Sequence, residues 1–170
     1  MKRGARQVGF IRMRVLVTGG AGYIGGVASD LLLKAGHDVV VFDNLSQGHR
    51  AAVPAKAEFV KGDLACANDV RALFSTRRID AILHFAGNTL VGESMQKPFL
   101  YLNQNVVNGV NLFQTAAEFD VRKIVFSSTS NLFERVEKLP IDESAAVEPC
   151  SPYGESKWIL ERMQIGRAHV

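Results

Sequence analysis

Residues 13–25, MRVLVTGGAGYIG, leave a chain few ways to fold. Val15, Leu16 and Val17 form a short apolar, mostly β-branched run, which suits a parallel strand covered on both faces. Gly19, Gly22 and Gly25 follow as G-x-x-G-x-x-G. The pattern predicts a strand, a tight turn and the opening of a helix. Such a turn, at the carboxyl end of a first strand, aims backbone N–H groups and a helix N-terminus at a place where a pyrophosphate can sit. Gly19 permits the turn, Gly22 lets phosphates approach the backbone, and Gly25 lets the helix pack close to the strand. Three glycines alone are a weak signal; the flanking strand and helix and an acid downstream strengthen it.

The rest of the chain repeats the alternation. A helix is predicted over 23–35, with Ile24, Val27, Leu31 and Leu32 at helical spacing as its apolar face, and Gly36 ends it. Val39 to Phe42 reads as a second buried strand, 58–61 as a third, 68–76 as a helix, and 81–85 as a fourth strand. A loop is expected over 86–97, a long helix over 98–119, a fifth strand over 123–127 and a long loop over 128–151. Pro152 suits the first turn of a last helix. Strand and helix in alternation mean an α/β fold with a doubly wound parallel sheet and right-handed crossovers.

Charge and cysteine content exclude some partners. The formal charge is +3, yet five of the 20 basic residues (Lys2, Arg3, Arg6, Arg12 and Arg14) crowd into residues 1–14, which hold no acid. The remainder carries 15 basic against 17 acidic residues, so the body is mildly acidic and has no nucleic-acid footprint. The expectation for residues 1–12 is a disordered leader, or a start placed before a true start at Met13. No apolar run is long enough to span a membrane. Cys66 and Cys150 have no metal-ligand spacing, so no metal is expected, and inert thiols in a reduced, cytoplasmic setting are the simpler reading. Residues 165–170, IGRAHV, look like a translated sequencing adapter. A fragment with a non-natural tail over 165–170 is expected; a short domain that ends there is the alternative.

Two further sets of residues carry chemistry. Asp43 closes the second strand, 18 residues after Gly25. A carboxylate there can accept from both ribose hydroxyls of an adenosine and would repel a 2′-phosphate. The alternative is an aspartate that caps its own turn. Tyr153 and Lys157 form Y-x-x-x-K on one face of the last helix. A tyrosine is a poor base at neutral pH, with an unperturbed pKa of about 10. A nearby ammonium and a cationic nicotinamide would favour the phenolate. An aromatic and a lysine on an ordinary helix remain the alternative. Ser127-Ser128-Thr129 places a hydroxyl at the same edge of the sheet.

TGGAGYIG (18–25), DNLSQGHR (43–50), GDL (62–64), HFAG (84–87), VGES (91–94), FSST (126–129), LPIDES (139–144) and SPYGESK (151–157) together resemble the extended short-chain dehydrogenase/reductase family. Within it, they resemble the nucleotide-sugar 4-epimerase branch, from Met13 to about Met163. The resemblance implies a Rossmann-type NAD-binding domain over 13–164, truncated before the substrate domain. It also implies interconversion of UDP-glucose and UDP-galactose by transient NAD-dependent oxidation at sugar C4, in a homodimer. Gly19, Gly22, Tyr23, Ile24 and Gly25 are implied to cradle the NAD pyrophosphate. Asp43 and Asn44, followed by Leu45 and Ser46, are implied at the adenosine ribose, and Asp63 and Leu64 at adenine. Phe85, Ala86 and Gly87 are implied to line the middle of the cofactor, with Asn105 near it from the long helix. Tyr153 is the implied base, Lys157 the ligand of the nicotinamide ribose, and Thr129 the partner of the reacting sugar hydroxyl.

Departures from the family pattern stand at Thr89, where many members have lysine, and at Ser130 to Glu134. There Phe133 lacks the usual hydroxyl and Glu134 the usual glycine. A 4,6-dehydratase would need an Asp-Glu pair where Ser130 and Asn131 stand, and an NADP reductase is disfavoured by Asp43. A nucleotide-binding fragment without turnover is the reading from a different class. His84 is expected to be a packed core histidine, His37 and His49 loop residues, and Phe113, Phe119 and Trp158 packing residues. Glu93 is read either as functional or as a loop acid capping the next helix. Leu102, Val106, Phe113 and Ala117 are expected to line either a dimer seam or the core.

Overall fold

A computed structural model describes residues 11–133 and 138–167, with side chains to Gln164. The strands β1 (Arg14–Thr18), β2 (Asp38–Asp43), β3 (Glu58–Lys61), β4 (Ala81–His84) and β5 (Lys123–Phe126) form one parallel sheet in the order β3-β2-β1-β4-β5. The chain moves outward from β1 to β3, then returns to pair β4 with the other side of β1. That reversal opens a crevice at the carboxyl ends of β1 and β4.

Strand periodicity decides the two cores. Val15 and Val17 face one side of the sheet with Val39 and Val41, against Leu32 and Leu33 of α1 (Tyr23–Lys34). Leu16, Val40, Phe42 and Ile82 face the other side. There they meet α2 (Ala67–Ser75), α5 (Asn108–Glu118) and Leu160 of α6 (Pro152–Arg167). Each fully buried aliphatic or aromatic side chain contributes about 1.5–3 kcal/mol. The doubly wound arrangement expected from the alternation is therefore present.

Three local expectations need correction. Ile24, Val27 and Leu31 do not face the core, and Ile24 and Leu31 are 60% and 59% exposed. The buried face of α1 is Gly25, Gly26 and Ser29. A Cβ on Gly25 would stand 2.3 Å from the Gly19 carbonyl oxygen, so backbone packs where side chains were expected. The segment 86–97 is not all loop, because Val91–Gln96 forms the short helix α3. Glu93 lies inside α3 and caps no helix from a loop. The long helix exists as α4 (Pro98–Tyr101), a π-helical turn Leu102–Val107, and α5. The wider turn buries Asn105 while Asn103 and Gln104 stay exposed.

Arg12, assigned to the leader, bonds Asp38 through its Nε at 2.9 Å. Most of that leader, Glu134 and the end of the expected tail lie outside the described residues.

Candidate active site

The glycine turn forms the floor of the crevice. Gly19 has φ +72°, and a Cβ there would stand 2.6 Å from the Ala86 nitrogen, so the turn lies directly on the exit of β4. Helix α1 opens at Gly22 with no side-chain cap and no acid in its first turn. The amides of Tyr23, Ile24 and Gly25 have no acceptor within the helix, and the positive end of its dipole is there. Close-set backbone, uncapped amides and a first helical turn without an acid fit a dinucleotide pyrophosphate.

Asp43 caps its own turn and also reaches across to the glycine turn. One carboxylate oxygen accepts from Leu45 N–H (2.8 Å), capping its own turn. The other accepts from Ala21 N–H (3.1 Å) in the glycine turn. Asn44 donates to Asp63 (3.0 Å) and accepts from Ser46 N–H (2.9 Å), which draws the residues expected at ribose and adenine together. Leu64 is buried in the core, and its carbonyl accepts from Asn111 (2.9 Å).

Beyond β4, Phe85 and Ala86 run along the glycine turn, Gly87 lies against Asn105 and Lys157, and Phe85 N–H donates to the Thr18 carbonyl (3.0 Å). Asn105 is buried, and its amide is committed within the protein. Its Oδ1 accepts from Asn88 N–H (2.8 Å), and its Nδ2 donates to the Asn88 carbonyl (3.0 Å) and to Ser156 Oγ (2.9 Å). Asn105 therefore pins the loop after Gly87 to α6.

Tyr153 and Lys157 lie buried on α6, with Lys157 only 3% exposed. The Lys157 ammonium donates to the Ser127 carbonyl (3.1 Å) and is 6.0 Å from the centre of the Tyr153 ring. It stands 3.6 Å from where a Gly87 Cβ would be, so the lysine reaches the crevice. Burial pushes its pKa down to about 8. Thr129 Oγ1 accepts from Asn131 N–H and Nδ2 (3.2 Å each). The Asn131 carbonyl lies 2.6 Å from the Cβ position of Gly154, which sets the Thr129 loop against the first turn of α6 beside Tyr153.

Sequence reading missed several supports. Tyr101 meets Tyr153 edge-on (6.4 Å between ring centres), donates to Glu93 (3.0 Å) and accepts from Leu90 N–H (3.1 Å). Lys97 and Tyr101 hold the Glu93 carboxyl below its ordinary range. Ser128 donates to Glu161 (2.7 Å), tying the end of β5 to α6. Only spatial neighbourhood marks out Tyr101, Lys97 and Glu161, whereas Glu93 and Ser128 already stood among the residues the sequence singled out. His84 is buried as expected and hydrogen-bonded to Thr18 Oγ1 (2.6 Å); burial and then the Lys157 charge push its pKa down to about 3. Phe113 packs in the core, which decides between its two readings. A cavity of about 440 Å³ lined by Phe74, Arg77, Ile79 and Phe119 lies at the amino ends of the strands, away from this site.

A reversal-point crevice and an uncapped glycine turn, with a buried tyrosine and lysine beside them, define an α/β dinucleotide-binding domain. The chain belongs to the NAD dependent epimerase/dehydratase family, whose model matches residues 15–168. It is 43% identical over 151 residues to the UDP-glucose 4-epimerase of Lactobacillus helveticus, covering 89% of this chain and 46% of that protein. The UDP-glucose 4-epimerase of Brucella ovis in complex with NAD superposes with a TM-score of 0.89 at 35% identity, over 93% of this chain and 48% of that one. The Thermotoga maritima UDP-glucose 4-epimerase with UDP-glucose gives 0.88 at 31% identity, over 92% and 52%. The chain thus spans about half the length of the curated relatives it matches.

Proposed function

We propose that this chain is the NAD-binding half of a nucleotide-sugar 4-epimerase that interconverts UDP-glucose and UDP-galactose. The observation that carries the reading is the reach of Lys157, on the same helix as Tyr153, to Gly87 at the crevice. Gly19, Gly22, Tyr23, Ile24 and Gly25 hold the pyrophosphate through backbone. Asp43 and Asn44 face the adenosine ribose with Leu45 and Ser46, and Asp63 and Leu64 border adenine. Phe85, Ala86 and Gly87 line the middle of the cofactor, braced by Asn105. Bound NAD supplies a reversible hydride acceptor. Tyr153 takes the proton from the sugar 4-hydroxyl and returns it, Lys157 favours the phenolate by its charge, and Thr129 hydrogen-bonds the same hydroxyl.

The named relatives support the epimerase over its rivals. Ser130 and Asn131 offer no carboxyl for a dehydratase, and Asn131 is bonded to Thr129. Asp43 disfavours the 2′-phosphate of NADP. The second reading is a nucleotide-binding chain without turnover; the chain spans 46% of the Lactobacillus helveticus relative. A homodimer is part of the proposal. Phe99, Leu102, Val106, Val107 and Ile159 line an apolar groove of about 250 Å³ along α4, the π turn and α6, with Phe99 79% exposed. No helix among the described residues is long and apolar enough to cross a membrane.

The test joins this half to a relative's substrate half and assays UDP-galactose conversion. Tyr153→Phe is expected to lower turnover by about 100- to 10,000-fold and leave NAD bound. Turnover equal to that of the unaltered fusion would refute the assignment of the base.

A further inference from the structure

Thr18, His84 and Phe126 stand opposite one another across β1, β4 and β5, at the last paired position of each strand. They form a continuous row under the crevice. Thr18 Oγ1 and His84 Nδ1 are 2.6 Å apart. The His84 ring stacks on Phe126, with centres 5.6 Å apart and planes 27° apart. Phe113 meets both rings edge-on, at 5.8 and 6.4 Å, which fixes their tilt. At the end of the row the Lys157 ammonium lies 4.8 Å from the centre of the Phe126 ring.

Among the described residues, no carboxylate pairs with that buried ammonium. None of the ion pairs among the described residues includes Lys157. Glu161, one turn further along α6, accepts from Ser128, and Glu93 is engaged by Tyr101 and Lys97. From β4 the lysine meets His84, which burial keeps neutral, and from its own helix Tyr153. Among the described residues, the Ser127 carbonyl and the face of Phe126 are left to balance the charge, and the ring quadrupole attracts a cation more strongly when water is absent.

We propose that Phe126 is a positioning residue: its ring, braced by His84, holds the Lys157 ammonium in place and aims it at Gly87. The functional consequence rests on the reading that Lys157 serves a bound dinucleotide; the clamp itself does not. Removing the π face is expected to raise the Lys157 acid dissociation constant by about two- to thirtyfold, the range from exposed to desolvated cation–π contacts. It also explains why the sheet ends on a stacked imidazole and phenyl at this row.

The test replaces Phe126 in the 170-residue chain by mono-, di- and trifluorophenylalanine, which drain the ring face while keeping its shape, and by Leu and Tyr. Lys157 is titrated by NMR of ¹³C-labelled lysine, assigned with Lys157→Met, and NAD affinity is measured by calorimetry at pH 7. The clamp predicts a stepwise rise of the dissociation constant with fluorine number, the largest rise in Phe126→Leu, and recovery in Phe126→Tyr. A folded fluorinated series in which Lys157 titrates as in the parent overturns it. A stepwise titration with constant NAD affinity upholds the clamp and removes Lys157 from the cofactor site.

Discussion

The Asp43 carboxylate accepts from the backbone N–H of Ala21 at 3.1 Å, so the acid that ends β2 also braces the turn that leaves β1. Substitution therefore acts on charge and turn together. Asp43→Asn keeps one acceptor oxygen and drops the charge. NAD affinity is expected to fall about tenfold, the loss of one charge-assisted hydrogen bond, and the preference for NAD over NADP to shrink. Calorimetric titration with both dinucleotides checks this; an unchanged preference would remove Asp43 from the ribose site.

Gly25 and Gly92 make a matched pair. A Cβ on Gly25 would stand 2.3 Å from the Gly19 oxygen, whereas nothing lies within 4 Å of one on Gly92. Gly25→Ala forces α1 off β1 and is expected to cost about 1–3 kcal/mol together with NAD binding. Gly92→Ala, inside α3, is expected to add about 0.5–1 kcal/mol. Urea melts of the two variants separate close packing from general tolerance of alanine.

His84 makes the fold acid-sensitive. Its pKa is about 3 in the fold against 6.5 ordinarily, because burial and the Lys157 charge disfavour the imidazolium. Below pH 6.5 the unfolded chain takes up the proton first, so stability falls from there down to about pH 3. Between pH 7 and 5 the loss is about 2 kcal/mol. Urea midpoints of the parent and of His84→Gln should converge as pH drops, and parallel curves would contradict the neutral, buried ring.

Lys157 gives opposite signs for stability and binding. Its pKa of about 8 lies below the ordinary 10.5 because burial disfavours the ammonium. The folded chain releases that proton first, so stability rises between about pH 8 and 10.5 relative to Lys157→Met. NAD affinity is expected to fall through the same window as the charge disappears. Thermal melts and calorimetry on one sample series read both slopes; equal signs would refute the assignment of the lysine.

Residues 13–25 determined the first strand, the turn and the opening of α1, because a β-branched run and three spaced glycines act within a few residues of one another. The Tyr153–Lys157 spacing likewise put both side chains on one helix face. The side of α1 that packs was beyond such reasoning. Hydrophobic spacing pointed to Ile24, Val27 and Leu31, while close backbone approach at Gly25 turned them outward. Tertiary structure alone decided the row Thr18–His84–Phe126–Lys157 and the Asn105 clamp on Asn88 and Ser156. Their members lie on different strands and helices, and they meet only when the sheet assembles and a π turn carries Asn105 inward. Short-range periodicity contains no register between distant segments, and that register is what places a charge over a ring.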